Sequence, residues 1–340
     1  MCSSDLPGVS SPINLSISGA SKISRDGIVI SKALVTLGSV QFNGGLNLKS
    51  LEEHPRIVAT LATEEINATD LLRPYWPKAD SHSGWRRDSL DASILPAFDL
   101  DLRISAERAD LGVARVSDIA LSLLTSEGKL DATLASAKVF NGSVKARLSL
   151  TKAENGLALK LHGNFDKVDS GAALLSLMGT RYFEGITSGS VALESAGNSA
   201  EVMMQNLSGM SDFTVDNGTL AGINIAGILK KAETRPLSLT GSLRGGTTEF
   251  DQITLKTSIT SGNAELAEAQ IKLPEAIVRL TGKVDIGHRL LAINGEATNR
   301  TSASNGQKVR LPFSITGPFD EPLLKPDIEK MLRGPETEQD

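Results

Sequence analysis

Apolar and polar residues alternate one by one along much of this chain, and that period of two constrains the fold more than any other feature. Ile119, Leu121 and Leu123 alternate with Ala120 and Ser122, and Leu130, Ala132 and Leu134 with Asp131 and Thr133. Val144, Ala146, Leu148 and Leu150 alternate with Lys145, Arg147 and Ser149, and Leu157, Leu159 and Leu161 with Ala158 and Lys160. Successive side chains leave a pleated strand on opposite sides, so each run predicts a strand with one apolar and one polar face. Ser126-Glu127-Gly128, Asn141-Gly142 and Asn155-Gly156 separate the runs. Asn-Gly supplies the positive φ angles that a tight hairpin demands, so the chain is expected to meander up and down. The pattern returns after residue 246, where Val278 and Leu280 alternate with Arg279 and Thr281, and Leu290–Ala297 and Val309–Thr316 follow. The expectation is a mainly β chain of about 20 strands, forming a long curled antiparallel sheet of repeated meander units with a few short helices.

Three helix starts interrupt the strands. Asp169 is positioned to cap a helix reaching Tyr182 and packing through Leu174 or Leu175 and Met178. Ser199 precedes Ala200–Leu207, and Asn224 precedes Ile225–Ala232, whose Ile228 and Leu229 are expected against the sheet. Phe42-Asn43-Gly44 recurs as Phe140-Asn141-Gly142, and each copy precedes two strand-like stretches and a helix start, which suggests a repeated unit. The boundaries that follow are a disordered or artefactual N-terminus at 1–10, a first β unit at 11–75, a connector at 76–98, a long β region at 99–330 and a disordered tail at 331–340. Cys2–Leu6 resembles a translated sequencing adapter, so the natural protein is expected to begin upstream. The stretch Arg73–Ser89 holds Tyr75, Trp76 and Trp85 and reads as a crossing between units, with an interfacial membrane contact as the alternative.

Composition narrows the function. With 35 Lys+Arg against 40 Asp+Glu the net charge is −5, which lacks the electrostatic footprint of a nucleic-acid binder. One Cys and 4 His offer neither a disulfide framework nor a multi-cysteine metal site. Asp99 and Asp101 share one strand face, as exposed charges commonly do, and Asp80-Ser81-His82 is a linear run without triad geometry. No cofactor is expected, nor any enzymatic activity. The alternating aliphatic face is either a closed core or the lining of an open groove. In the second reading the lipid-facing residues are Leu121, Leu123, Leu134, Val144, Leu148, Leu150, Leu159, Leu161, Val278, Leu280, Ile293 and Phe313, with Lys145, Lys160, Arg279 and Lys283 outside.

Several glycine-based motifs resemble one family. Phe183–Leu193 with Gly185 and Gly189 leads through Leu207-Ser208-Gly209 to Asp216-Asn217-Gly218-Thr219-Leu220-Ala221-Gly222-Ile223-Asn224. Thr248-Glu249-Phe250-Asp251, Gly282–Asp285 and Ile315-Thr316-Gly317-Pro318 with Pro322 and Pro326-Asp327 continue the likeness. Together they resemble the C-terminal region of the AsmA family of bacterial envelope proteins over most of residues 90–330. The resemblance implies a periplasmic β-groove similar to bridge-like lipid-transfer proteins, with phospholipid acyl chains as ligands and a role in outer-membrane biogenesis. It also implies an inner-membrane anchor upstream of this chain, and outer-membrane or periplasmic proteins as partners. The competing expectation is a structural or assembly factor for outer-membrane proteins with a closed β core.

Overall fold

The computed structural model of the protein describes residues 14–25, 27–49, 55–69, 84–90, 95, 98–234, 244–300 and 309–333. Residues 1–10 and the end of the tail at 334–340 lie outside the described residues, as do Tyr75 and Trp76. Among the described residues, seventeen strands belong to one sheet. They are β1 (Leu15–Ser24), β2 (Gly27–Leu37), β3 (Val40–Lys49), β4 (Arg56–Asn67), β5 (Asp99–Asp110), β6 (Arg115–Ser126), β7 (Lys129–Val139), β8 (Gly142–Ala153) and β9 (Gly156–Asp169), followed by β10 (Phe183–Gly197), β11 (Ser208–Ile223), β12 (Arg244–Thr260), β13 (Asn263–Lys272), β14 (Ala276–Asp285), β15 (Leu290–Asn299), β16 (Arg310–Pro318) and β17 (Leu323–Pro326). Among the described residues four short helices accompany them: α1 (Ser170–Met178), α2 (Ala200–Gln205), α3 (Ile225–Thr234) and, after the last strand, α4 (Ile328–Arg333). The mainly β, mostly antiparallel sheet with few helices is the class that the alternation predicts.

The chain forms two compact units. The first holds residues 1–79, 88–168 and 194–199, and the second holds 80–87, 169–193 and 200–340. The division near Val168 falls inside the long β region expected at 99–330.

In the first unit the hairpins β5–β6, β6–β7, β7–β8 and β8–β9 are antiparallel, whereas β4 and β5 run parallel, with Ile57 opposite Leu100 and Leu61 opposite Ile104. A parallel pair needs a long crossover, and the residues between Asn67 and Asp99 supply its length. The alternation is blind to this, because it reports faces and not strand direction.

The turns also correct the reading in detail. Glu127 (φ 49) and Gly128 (φ 73) form the β6–β7 turn as expected. The β7–β8 turn, however, is centred on Phe140 (φ 47) and Asn141 (φ 62), and Gly142 already pairs with Val139. Gly142 is a glycine for another reason: a Cβ there would lie 2.6 Å from the backbone of Asp166, Lys167 and Val168. Phe42-Asn43-Gly44 lies within β3, so the two triplets are not structurally equivalent, although one strand, β4, and then a helical residue, Thr69, do follow the first copy.

In the second unit, α1 has the expected N-cap, with Asp169 accepting a hydrogen bond from the Ala172 N–H at 2.9 Å, and it stops at Gly179 rather than Tyr182. Of the two alternatives for the packing leucine, Leu174 is half-buried and Leu175 is exposed. α3 behaves as the sequence predicts: the Asn224 side chain accepts from the Gly227 N–H at 2.7 Å, and Ile228 and Leu229 are buried. Residues 331–333, expected in the tail, close α4, and Met331 packs on the core.

Candidate functional site: an apolar sheet face

In the first unit the registers bring the alternating aliphatics onto one face. Leu102, Leu123, Ala132, Leu148 and Leu161 form one row across β5–β9, and Ile104, Leu121, Leu134 and Ala146 form the next. Leu130, Leu150 and Leu159 make a third row, and Val144 lies on the same face as Ala146 and Leu148. Positions 100, 102, 104, 119, 121, 123, 130, 132, 134, 144, 146, 148, 150, 159 and 161 are all Leu, Ile, Val or Ala. The face continues across the parallel pair to Ile57, Ala59 and Leu61, and from there to Leu46, Leu48, Ile28 and Ile30.

Burial divides this face. On β2–β4 it closes on itself, and Ala33, Val35, Val40, Phe42, Leu46, Ala59 and Leu61 form a buried cluster. On β6–β9, Leu121, Leu123, Leu134, Val144, Leu148, Leu150, Leu159 and Leu161 remain partly exposed. A half-buried aliphatic row is what an open lining presents, whereas a sandwich core buries such residues fully.

Thr125 interrupts the third row, and Lys152, opposite Leu157, ends the face where β8 turns into β9. Thr125, opposite Leu100 and Leu130, is 2% exposed, and its hydroxyl accepts from the Leu100 N–H at 3.0 Å while donating to the Phe98 carbonyl at 2.9 Å. It pins the entry of β5. Its inward parity beside Leu121 and Leu123 was the available sequence signal, but a lone threonine does not announce its partners.

The opposite face is charged and wet. Lys145, Arg147, Lys160 and His162 are exposed there, with Lys129 and Lys138 2.9 Å from Asp131 and 2.7 Å from Asp118. The hydrogen bond from Lys129 holds the Asp131 carboxyl below its ordinary value; burial opposes this, and Ser149 and Arg147 reinforce it. A shallow depression of about 380 Å³ is lined by Thr133, Lys145, Arg147, His162 and Asn164 together with Leu134, Ala135 and Ala146.

The second unit treats its apolar face differently. Val278 stands opposite Ala297, and Ala297 opposite Leu311; Leu280, Gly295 and Phe313 form the next row, and Gly282, Ile293 and Ile315 another. The four candidates Val278, Leu280, Ile293 and Phe313 therefore share one face, and Arg279 and Lys283 are exposed opposite them. Here α3 covers the sheet: Ile225, Ile228, Leu229 and Ala232 form one buried cluster with Ala276, Val278, Ala297 and Leu311. Val278 is 1% exposed, so at that point the face is a closed core.

Thr248 fastens this cover, accepting from the Ile225 N–H at 2.9 Å and donating to the Ile223 carbonyl at 2.7 Å. Trp85, from the predicted connector, is engaged within the same unit. Its indole N–H donates to the Ile286 carbonyl at 2.7 Å, and the Arg289 guanidinium lies 5.8 Å from the ring centroid.

Among the described residues no group of three or more His, Cys, Asp or Glu could hold a metal ion, and no helix is long and apolar enough to cross a membrane. What the arrangement offers is apolar surface with a charged reverse side. No curated protein and no solved structure matches the chain. Residues 57–268, more than half of the chain and running from β4 into β13, match the family model for the AsmA family. The chain belongs to the AsmA family, whose members are associated with the bacterial envelope and outer-membrane biogenesis.

Proposed function

We propose that the first unit carries phospholipid acyl chains along the aliphatic face of β6–β9, as part of a periplasmic protein that moves phospholipid between the inner and outer membranes. The supporting observation is the part-exposed row of Leu121, Leu123, Leu134, Leu148, Leu150, Leu159 and Leu161, uninterrupted by charge. Removing a methylene from water is worth about 0.8 kcal/mol, so an acyl chain laid on this face gains several kcal/mol without any specific polar site. Headgroups stay in water at the edge of the face. The process is passive binding and sliding, with no enzymatic step.

The closed core under α3 favours a second reading for the other unit, that of a structural or assembly role toward outer-membrane or periplasmic proteins. Photo-crosslinking in cells tests the lipid reading. Crosslinkers at Leu148 and Leu159 are expected to capture phospholipid, and those at Lys145 and Lys160, on the reverse face, are not. Equal capture on both faces, or capture on neither in a folded protein, overturns it.

A further inference from the structure

The two longer helices of the second unit use their apolar residues in opposite ways. α3 buries Ile225, Ile228, Leu229 and Ala232. α1 leaves Leu175 45% and Leu177 42% exposed, and immediately beyond it Tyr182 is 60% and Ile186 42% exposed. The disposition of α1 is secured by its own contacts. Its N-terminal turn is fastened to β10, where the buried Ser170 hydroxyl donates to the Gly185 carbonyl at 2.8 Å. Its C-terminus is closed by the Gly179 N–H bonding the Leu175 carbonyl at 3.0 Å. The helix is thus capped at both ends while Leu175 and Leu177 face water and Leu174 is half-buried.

We propose that α1 and Tyr182 form a contact for the surface of a lipid bilayer. Three features select this occupant. No charged side chain lies between Asp169 and Arg181, and no acidic one between Asp169 and Glu184, so nothing in the segment resists entry among acyl chains. Tyr182 joins an apolar ring to a hydroxyl beside Arg181, a combination that settles at the boundary between headgroups and acyl chains. A helix of nine residues is about 14 Å long, too short to cross the ~30 Å apolar layer and suited to lying shallowly in one leaflet.

Charge decides the character of the contact. The chain carries −5 overall, and Arg181 is paired with Glu184 at 3.1 Å, so attraction to anionic headgroups cannot drive it. Binding must be apolar, and therefore insensitive to salt and to lipid charge. The inference rests on the proposed function only for why a bilayer would be met, since a carrier of acyl chains has to touch the membrane that supplies them.

Flotation of the full chain with phosphatidylcholine vesicles tests it. The wild type is expected to float equally at low and high salt, and the double variant Leu175→Glu/Leu177→Glu to lose at least about tenfold in bound fraction. Leu290→Glu, at an apolar site 46% exposed elsewhere in the unit, is expected to float as the wild type does. Should the double glutamate variant unfold, Leu175→Ser/Leu177→Ser takes its place with the same direction of effect. Unchanged flotation of the folded double variant, flotation only with added phosphatidylglycerol and reversed by salt, or no flotation of the wild type overturns the contact. Mass spectrometry of lipid carried by the same samples keeps the two readings apart. Lipid held without flotation refutes the α1 contact alone, and flotation without held lipid refutes the groove alone.

Discussion

At the scale of single residues, two glycines illustrate two different constraints. Gly128 has φ 73 with open space around its missing Cβ, so backbone angle alone dictates it. Gly142 instead faces main-chain atoms 2.6 Å from where a Cβ would sit, and main chain cannot rotate away. Gly128→Ala is expected to cost about 1–2 kcal/mol and Gly128→Asn much less, because Asn tolerates the left-handed region. Gly142→Ala and Gly142→Asn should both cost about 1–3 kcal/mol, the Asn variant no less than the Ala. Urea denaturation of the four variants distinguishes the cases. The Asn-Gly signal thus located the hairpin but assigned the wrong role to its glycine, since a close approach across strands leaves no local trace. Asp285 carries a second prediction. Burial raises its pKa, but hydrogen bonds from the His288 backbone N–H at 2.9 Å and with the His288 ring outweigh this and hold it below the ordinary value. A depressed carboxylate stabilises the fold above its unfolded pKa of about 3.9, and that contribution is lost as pH falls through the lower folded value. The protection of the His288 amide against exchange, taken relative to its intrinsic rate at each pH, is therefore expected to fall on acidification below about pH 4, and Asp285→Asn to abolish that acid step.

At the scale of elements, local signals worked where local chemistry was sufficient. Asp169 and Asn224 both cap helices as their positions indicated, because an N-cap is satisfied within three residues. What the helices pack against was legible for α3, whereas the apolar stripe of α1 left open which of Leu174 and Leu175 packs, and Leu175 stays exposed. The cover formed by α3 also depends on Thr248, a residue 23 positions from Ile225 whose partnership no periodicity encodes. Thr248→Val keeps the volume but leaves the Ile225 N–H and the Ile223 carbonyl without their partner. A loss of about 1–3 kcal/mol in equilibrium unfolding is expected, against about 1 kcal/mol for Asn224→Ala at the cap itself. Equal stability of Thr248→Val and wild type would remove the hydroxyl from the account of how the cover is held.

At the scale of the whole chain, the period of two reported which residues share a face, and the registers bear that out for the rows in both units. It could not report whether a second layer covers the face, since an aliphatic residue under a helix and one along an open row read alike in sequence. Leu148, partly exposed on β8, and Val278, 1% exposed beneath α3, are the two outcomes of one pattern. A carboxylate placed at each position separates them. Val278→Glu buries an unpaired charge in a closed core, where desolvation has nothing to offset it, so a loss of several kcal/mol and failure to accumulate as folded protein are expected. Leu148→Glu leaves the carboxylate in reach of water, so folding should change by no more than about 1 kcal/mol. Lipid occupancy of the purified protein should nevertheless fall at Leu148→Glu, because an acyl chain laid along the row would have to strip water from the charge. Thermal unfolding and mass spectrometry of bound lipid, run on both variants, read the two effects separately. A stable Val278→Glu that still binds lipid would show that α3 yields easily and that the face beneath it is open to acyl chains. A folded Leu148→Glu with undiminished lipid would move the lipid path off β6–β9.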